Sequence, residues 1–123
     1  MIKKQIFSFK NALSGVKWVV STQRNFKIHL FLSFLAITGG AFFQISYQEF
    51  LVILVLIFLG LALETVNTAI EETIDALHKE KSEEIRIAKD VAAAAMFIFA
   101  VGAFTIACII FIPRISQFLI SNF

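Results

Sequence analysis

One cysteine, one proline, one tryptophan, one tyrosine and five glycines are all that the 123 residues contain of these types, and each shortage closes a possibility. The lone thiol, Cys108, lies in the apolar run Ala107-Cys108-Ile109-Ile110, where it has neither a disulfide partner nor company for a metal, so it reads as a packing residue. Scarce glycine and proline exclude a flexible linker, and no internal repeat or low-complexity tract is present. No G-x-x-x-x-G-K phosphate loop occurs. Charge is sparse as well: 16% of residues carry it, the net is +2, and the cations cluster by region instead of forming a stripe for nucleic acid. The N-terminus has lysines but no apolar core followed by a small-residue cleavage site. A cleavable signal peptide is therefore excluded, and the mature chain is expected to begin near Met1.

What is abundant is apolar surface. Hydrophobic residues make up 59% of the chain and the mean hydropathy is +0.84, far outside the balance of a soluble domain. A soluble protein this short buries only a modest core, whereas lipid covers apolar faces from outside. One membrane domain spanning 1–123 is expected.

From Ile2 to Val20 the residues Ile2, Ile6, Phe9, Leu13, Val16 and Val20 recur at alternating steps of four and three, which places them within roughly an 80° arc at helical pitch. Lys3, Lys10 and Lys17 flank this stripe at every seventh position, where their stems can snorkel toward anionic headgroups. The pattern predicts an amphipathic surface helix within 1–27, its stripe either in the membrane interface or packed on the transmembrane bundle. Three apolar segments follow, at 28–47, 50–75 and 91–112. The first is near the ~20 residues needed to cross hydrocarbon, and its connector, which includes the interfacial Tyr47, is short, so the second segment returns antiparallel. The run Phe50–Leu63 is too short to span unless helix continues through Glu64-Thr65-Val66-Asn67-Thr68-Ala69-Ile70-Glu71. The third ends at Pro113, after a charged connector at 76–90.

Basic residues set the orientation. Lys3, Lys4, Lys10, Lys17, Arg24 and Lys27 precede the first span, Lys79, Lys81, Arg86 and Lys89 lie in the second connector, and Arg114 alone lies beyond the third span. By the positive-inside rule the N-terminus and the second connector are cytoplasmic in a multi-pass protein of the inner (plasma) membrane.

Glu64, Asn67, Thr68, Glu71 and Asp75 fall within about a 100° arc of the second span. Acids facing lipid are costly, so this face is expected to line the bundle interior or a wet crevice and to carry function; the alternative is a solvated membrane boundary. The second half of the constellation is Ala88-Lys89-Asp90-Val91-Ala92-Ala93-Ala94-Ala95, a cation and an acid before small residues that let helices approach closely. Lys89 there either holds phosphates or serves as a positive-inside anchor. His29 and His78 have no partners suggesting a catalytic triad and both read as interfacial or solvated, while Trp18 and the phenylalanines read as membrane anchors and packing residues.

Glu64-Thr65-Val66-Asn67-Thr68-Ala69-Ile70-Glu71 followed by Ala88-Lys89-Asp90-Val91-Ala92-Ala93 resembles the signature of the prokaryotic diacylglycerol kinase family, which includes undecaprenol kinases. The resemblance extends to Phe9-Lys10-Asn11-Ala12, Gly15 and Asn25-Phe26-Lys27-Ile28-His29-Leu30, and so covers nearly the whole chain. It implies an all-α integral membrane protein, with a surface helix and three transmembrane helices in a homotrimeric bundle with composite active sites. It also implies transfer of the γ-phosphate of ATP to the hydroxyl of a lipid alcohol, with Mg²⁺ as cofactor and no nucleic-acid partner. By the same resemblance Glu64 is the general base, Glu71 the metal ligand, Lys89 and Asp90 the nucleotide contacts, and Asn67 a supporting residue.

Phosphoryl transfer depends chiefly on positioning and on neutralising charge, and hard Mg²⁺ prefers oxygen ligands. One departure stands out: where the family commonly carries a metal-binding glutamate, three residues before the phenylalanine of Asn25-Phe26, this chain has Gln23. The connector 77–83 also lacks the histidine-proline step common in the undecaprenol branch. The two motifs look closer to that branch, so a polyprenol is expected over diacylglycerol. Two other classes stand beside the enzyme: a small transporter, which would hold its acids nearer the midplane, and a noncatalytic assembly subunit, which Gln23 would suit.

Overall fold

The computed structural model describes residues 2–80 and 82–122, with side chains from Gln5 onward. The start expected at Met1, the stripe residues Ile2 and Lys3, and the cations Lys4 and Lys81 lie outside the described residues or side chains. The helices are α1 (Ile2–Thr22), α2 (Arg24–Phe42), α3 (Tyr47–Leu77) and α4 (Glu83–Asn122), with no strand among the described residues. Three of them, α2, α3 and α4, are long and apolar enough to cross a membrane. The protein is an all-α membrane protein.

At 1.5 Å per residue α2 is about 28 Å long, close to the ~30 Å of hydrocarbon, whereas α3 is about 46 Å and α4 about 60 Å. The two longer helices therefore project beyond the bilayer. In lipid every backbone group must be satisfied internally, which continuous helix achieves. Hydroxyls within the spans fold back onto their own helix: Ser33 donates to the His29 carbonyl at 2.7 Å, Thr65 to Leu61 at 2.8 Å and Thr105 to Val101 at 2.8 Å.

The turn between α2 and α3 is built from local chemistry. Gln44 N–H donates to the Ala41 carbonyl at 3.3 Å and Ile45 N–H to the Gly40 carbonyl at 3.1 Å, which is the Schellman arrangement. It requires a left-handed residue after the cap, and Gln44 takes φ 50°. Ile45 closes over Gly40, where an added Cβ would meet Ile45 Cδ1 at 2.9 Å. One residue later Ser46 opens α3 with a capping box, its Oγ accepting from Glu49 N–H at 3.3 Å while Glu49 Oε2 accepts from Ser46 N–H at 2.8 Å. Tyr47 and Glu49, read from sequence as connector, thus form the first turn of α3, and α2 stops at Phe42.

The second connector is likewise shorter than its charge suggests. Helix α3 runs to Leu77 and α4 restarts at Glu83. Pro113 does not end α4, which continues to Asn122. Proline removes the N–H that would bond the Ile109 carbonyl, and beside that gap Arg114 Nη1 donates to the Ile110 carbonyl at 2.7 Å.

Helix α3 is central, packing on both α2 and α4, and α1 touches α2 and α3. The α3–α4 approach is close at Gly60, where an added Cβ would lie 2.7 Å from the Phe99 ring. Among the described side chains of α1 only Val19 is buried and Val20 is half-buried; Ile6, Phe9, Leu13 and Val16 are exposed, so that part of the stripe does not pack on its own bundle and suits the membrane interface.

Candidate active site

The deeply buried side chains divide unevenly. The apolar ones, Val19, Phe26, Ile53 and Ile110, are scattered over all four helices, whereas the polar ones, Glu64, Asn67 and Thr68, share one face of α3. Burying an acid and an amide costs free energy unless partners compensate, so their concentration at one place points to a site.

The face expected from helical spacing is present and graded. Glu64, Asn67 and Thr68 are buried, Glu71 is half-buried, and Asp75 is exposed at the connector end. Asn67 Nδ2 donates to Glu71 Oε1 at 2.9 Å, the reach of an i, i+4 pair. Its carbonyl oxygen, Oδ1, is buried with no hydrogen-bond partner. An unsatisfied buried acceptor costs about 1–3 kcal/mol, and such orphans recur where a ligand completes the set.

Residues of two helices bear on Glu64. Asn25 and His29 of α2 lie within electrostatic reach of its carboxylate, and Glu71 lies two turns along α3. Asn25 belongs to the N-terminal motif noted in the sequence. His29 does not stay at a solvated interface: it is half-buried, its Nδ1 beside Gly60 at the α3–α4 crossing, one helical turn from Glu64. The available signal was an ionisable side chain inside the apolar run Ile28-His29-Leu30, which lipid tolerates poorly without a role.

Lys89 and Asp90 lie in the second turn of α4, on the connector side. Lys89 Nζ pairs with Asp75 Oδ1, so α4 and α3 are tied together one turn beyond Glu71. Asp90 faces the other way and accepts from Arg86 Nη1 at 2.6 Å, while Arg86 also pairs with Glu83. That hydrogen bond holds the Glu83 carboxyl below its usual range. Lys89 thus joins the acidic face through Asp75, and Asp90 lies outside that contact.

Gln23 is the hinge between α1 and α2. Its backbone is extended, φ −89° and ψ 119°, and it occupies the N-cap position of α2 without a side-chain capping bond. Its half-buried amide has no structural duty in that cap. Among the described residues no group of three or more His, Cys, Asp or Glu side chains converges as a ready-made metal cage. The donors that do line the face, the Glu71 carboxylate and the orphaned Asn67 oxygen, are hard oxygens. They fit a magnesium ion that keeps most of its shell from water and phosphate.

Comparison with known proteins gives this geometry a context. The family model described as prokaryotic diacylglycerol kinase matches residues 10–111. A protein named undecaprenol kinase from Bacillus subtilis is 34% identical over 108 residues, covering 88% of this chain and 88% of that protein. One named diacylglycerol kinase from Synechocystis sp. is 33% identical over 113 residues, covering 90% of this chain and 65% of that protein. Similarity of this extent, on a three-span helical bundle with a buried acidic face, leads to one conclusion: the chain belongs to the prokaryotic diacylglycerol kinase family and is a membrane lipid kinase, a phosphotransferase with an alcohol acceptor.

Proposed function

We propose that the chain transfers the γ-phosphate of ATP to the hydroxyl of a polyprenol, undecaprenol in the first instance, at the cytoplasmic face of the inner membrane. The observation that carries this reading is the graded face of α3. A buried carboxylate, Glu64, sits at membrane depth, where a lipid hydroxyl resides, and an amide-carboxylate pair leads from it toward the charged connector, where a water-soluble nucleotide arrives.

Glu64 takes the proton of the acceptor hydroxyl as the oxygen attacks the γ-phosphorus, and the bond from that phosphorus to the β-bridging oxygen breaks, releasing ADP. Magnesium, when bound, neutralises phosphate oxygens; Glu71 would hold it, with the Asn67 Oδ1 and the Gln23 amide as neutral neighbours. Lys89, released from Asp75, offers its ammonium to the phosphates, and Asp90 contacts the nucleotide from the start of α4. Three copies assemble as a homotrimer, which would cover much of the apolar surface that a single chain leaves exposed.

The polyprenol is favoured because the relative named for undecaprenol matches this chain in length as well as sequence, at 88% coverage both ways. Purified protein given labelled ATP and matched mixed micelles should show a higher kcat/KM for undecaprenol than for diacylglycerol. The opposite ranking would assign the diacylglycerol substrate, and no transfer to either lipid would defeat the proposed reaction. Orientation is tested separately: cysteines at Ser46 and Ser82 in a Cys108→Ser background should label from opposite sides, Ser82 from the cytoplasm. Labelling from one side only would refute the layout.

A further inference from the structure

The end of the bundle remote from Glu64 carries an open hollow of about 370 Å³ between the α2–α3 turn and the last turns of α4. Its walls are mixed. Arg114, Gln44 and Gln117 supply polar groups, and the rings of Phe42 and Phe118, 5.6 Å apart, form an apolar side. Helix lengths fix its depth. Helix α2 nearly matches the hydrocarbon and stops at Phe42, so the hollow opens where hydrocarbon gives way to headgroups. Beyond Arg114, α4 continues from Ile115 to Asn122 without a charged residue. That stretch is about 12 Å long and so crosses the headgroup layer, which is roughly 5–7 Å on each side. Arg114, Gln117 and Phe118 also lie beyond position 111, where the family match ends.

What Arg114 has left over sets the chemistry. A guanidinium carries several N–H donors in a rigid fork; here one goes to the Ile110 carbonyl and one to Glu49, and the rest, Nε–H included, have no partner among the described residues. The side chain is half-buried, so those donors lack the full hydration of a surface arginine. The exposed amides of Gln44 and Gln117 are likewise unpaired among the described residues. Because Glu49 cancels the charge of Arg114, the hollow does not gather anions at large. It offers donors beside an apolar wall, at headgroup depth. We infer that it binds the phosphodiester of a membrane phospholipid from the leaflet at that end, the phosphate oxygens accepting from Arg114 and Gln117 and the start of an acyl chain lying on Phe42 and Phe118. The guanidinium fork matches phosphate oxygens in geometry. A phospholipid presents phosphate and chain together at this depth, whereas inorganic phosphate presents only the first. A headgroup held there fixes how deep the bundle sits, as interfacial arginine anchors do.

Nuclear magnetic resonance of the full chain, labelled with nitrogen-15 in maltoside micelles, reads these side-chain N–H groups directly. Dihexanoylphosphatidylcholine is the probe, because its zwitterionic head is not drawn to the lysines of α1. It should shift the Arg114 Nε–H and the Gln117 amide saturably, while inorganic phosphate or an alkyl glucoside at the same concentration shifts neither. Absence of a saturable shift would overturn the inference. So would an equal response to inorganic phosphate, which would make this a free-anion site, or to the glucoside, which would leave only an apolar contact. Two variants separate binding from folding. Arg114→Lys keeps a cation for Glu49 but loses the fork, and should weaken binding followed at the Gln117 amide by about tenfold. Gln117→Leu leaves the Arg114–Glu49 pair intact and carries the test if the lysine protein does not fold; it should weaken binding followed at the Arg114 Nε–H by about fivefold, the usual worth of one hydrogen bond. Unchanged affinity in the folded variants would reject the site.

Discussion

The two ends of the α3–α4 pair are closed by the same device and finished in opposite ways. At the far end Arg114 Nη2 meets Glu49 Oε2 at 2.7 Å, and both residues are otherwise engaged, Glu49 in the capping box of α3 and Arg114 on the Ile110 carbonyl. Phe42, Phe43, Phe111 and Phe118 stack edge to face around them. At the connector end Lys89 meets Asp75, but there a buried oxygen of Asn67 has no partner. Polar groups at one end pair with each other; at the other, pairing leaves one buried acceptor without a partner. The sum of contacts is thus a poor guide to where function lies, and unsatisfied polarity is a better one.

The sharpest test of that contrast is Glu64→Gln. It should lower lipid phosphorylation by about 10²–10⁴-fold, the usual cost of losing a general base, with membrane insertion and assembly intact. Near-normal turnover would make the connector end structural after all.

Next in size is the metal response of Gln23. Unit charges about 4 Å apart attract by roughly 4 kcal/mol at an effective dielectric near 20, and desolvation of a new carboxylate offsets much of this. A net tenfold change corresponds to about 1.4 kcal/mol. Gln23→Glu should accordingly lower the Mg²⁺ concentration for half-maximal activity by up to about tenfold, and Gln23→Ala should raise it. Both should fold, because the native amide makes no capping bond and an acid at the start of α2 suits the helix dipole. Superimposable titrations of the three proteins would take position 23 out of the metal site.

The far end should respond in stability and not in chemistry. Arg114→Met removes the partner of Glu49 and should lower the melting temperature by a few degrees while leaving KM for ATP unchanged; a selective kinetic defect would mean the two ends are coupled. Smallest of all is Gln44→Gly. A left-handed residue with a side chain is strained by roughly 1–2 kcal/mol, and glycine's added chain entropy offsets part of the relief. A net gain of about 0.5–1 kcal/mol should appear in denaturant melts. A loss would show that the Gln44 side chain contributes to the turn.

Much of this molecule was legible in its letters, because membrane crossing and amphipathicity are local properties that periodicity and length report. The surface helix, three spans and the shared face of Glu64, Asn67, Thr68, Glu71 and Asp75 follow from spacing alone. The Ser46-Tyr47-Gln48-Glu49 capping box was equally readable and marks the start of α3 more accurately than hydropathy did, since hydropathy registers polarity and not hydrogen bonding. Pro113 misled for a related reason: proline removes one hydrogen bond, the one to the Ile109 carbonyl, and the helix runs on through it to Asn122.

What only the tertiary structure decided is which distant residues meet. Asp75 pairs with Lys89 across the connector, His29 reaches Gly60, Phe99 seats on the same glycine, and three spans leave a slot between them. These contacts depend on the rotation and depth of one helix against another. Those are set by side-chain fit across whole interfaces, and no periodicity within a single helix encodes them.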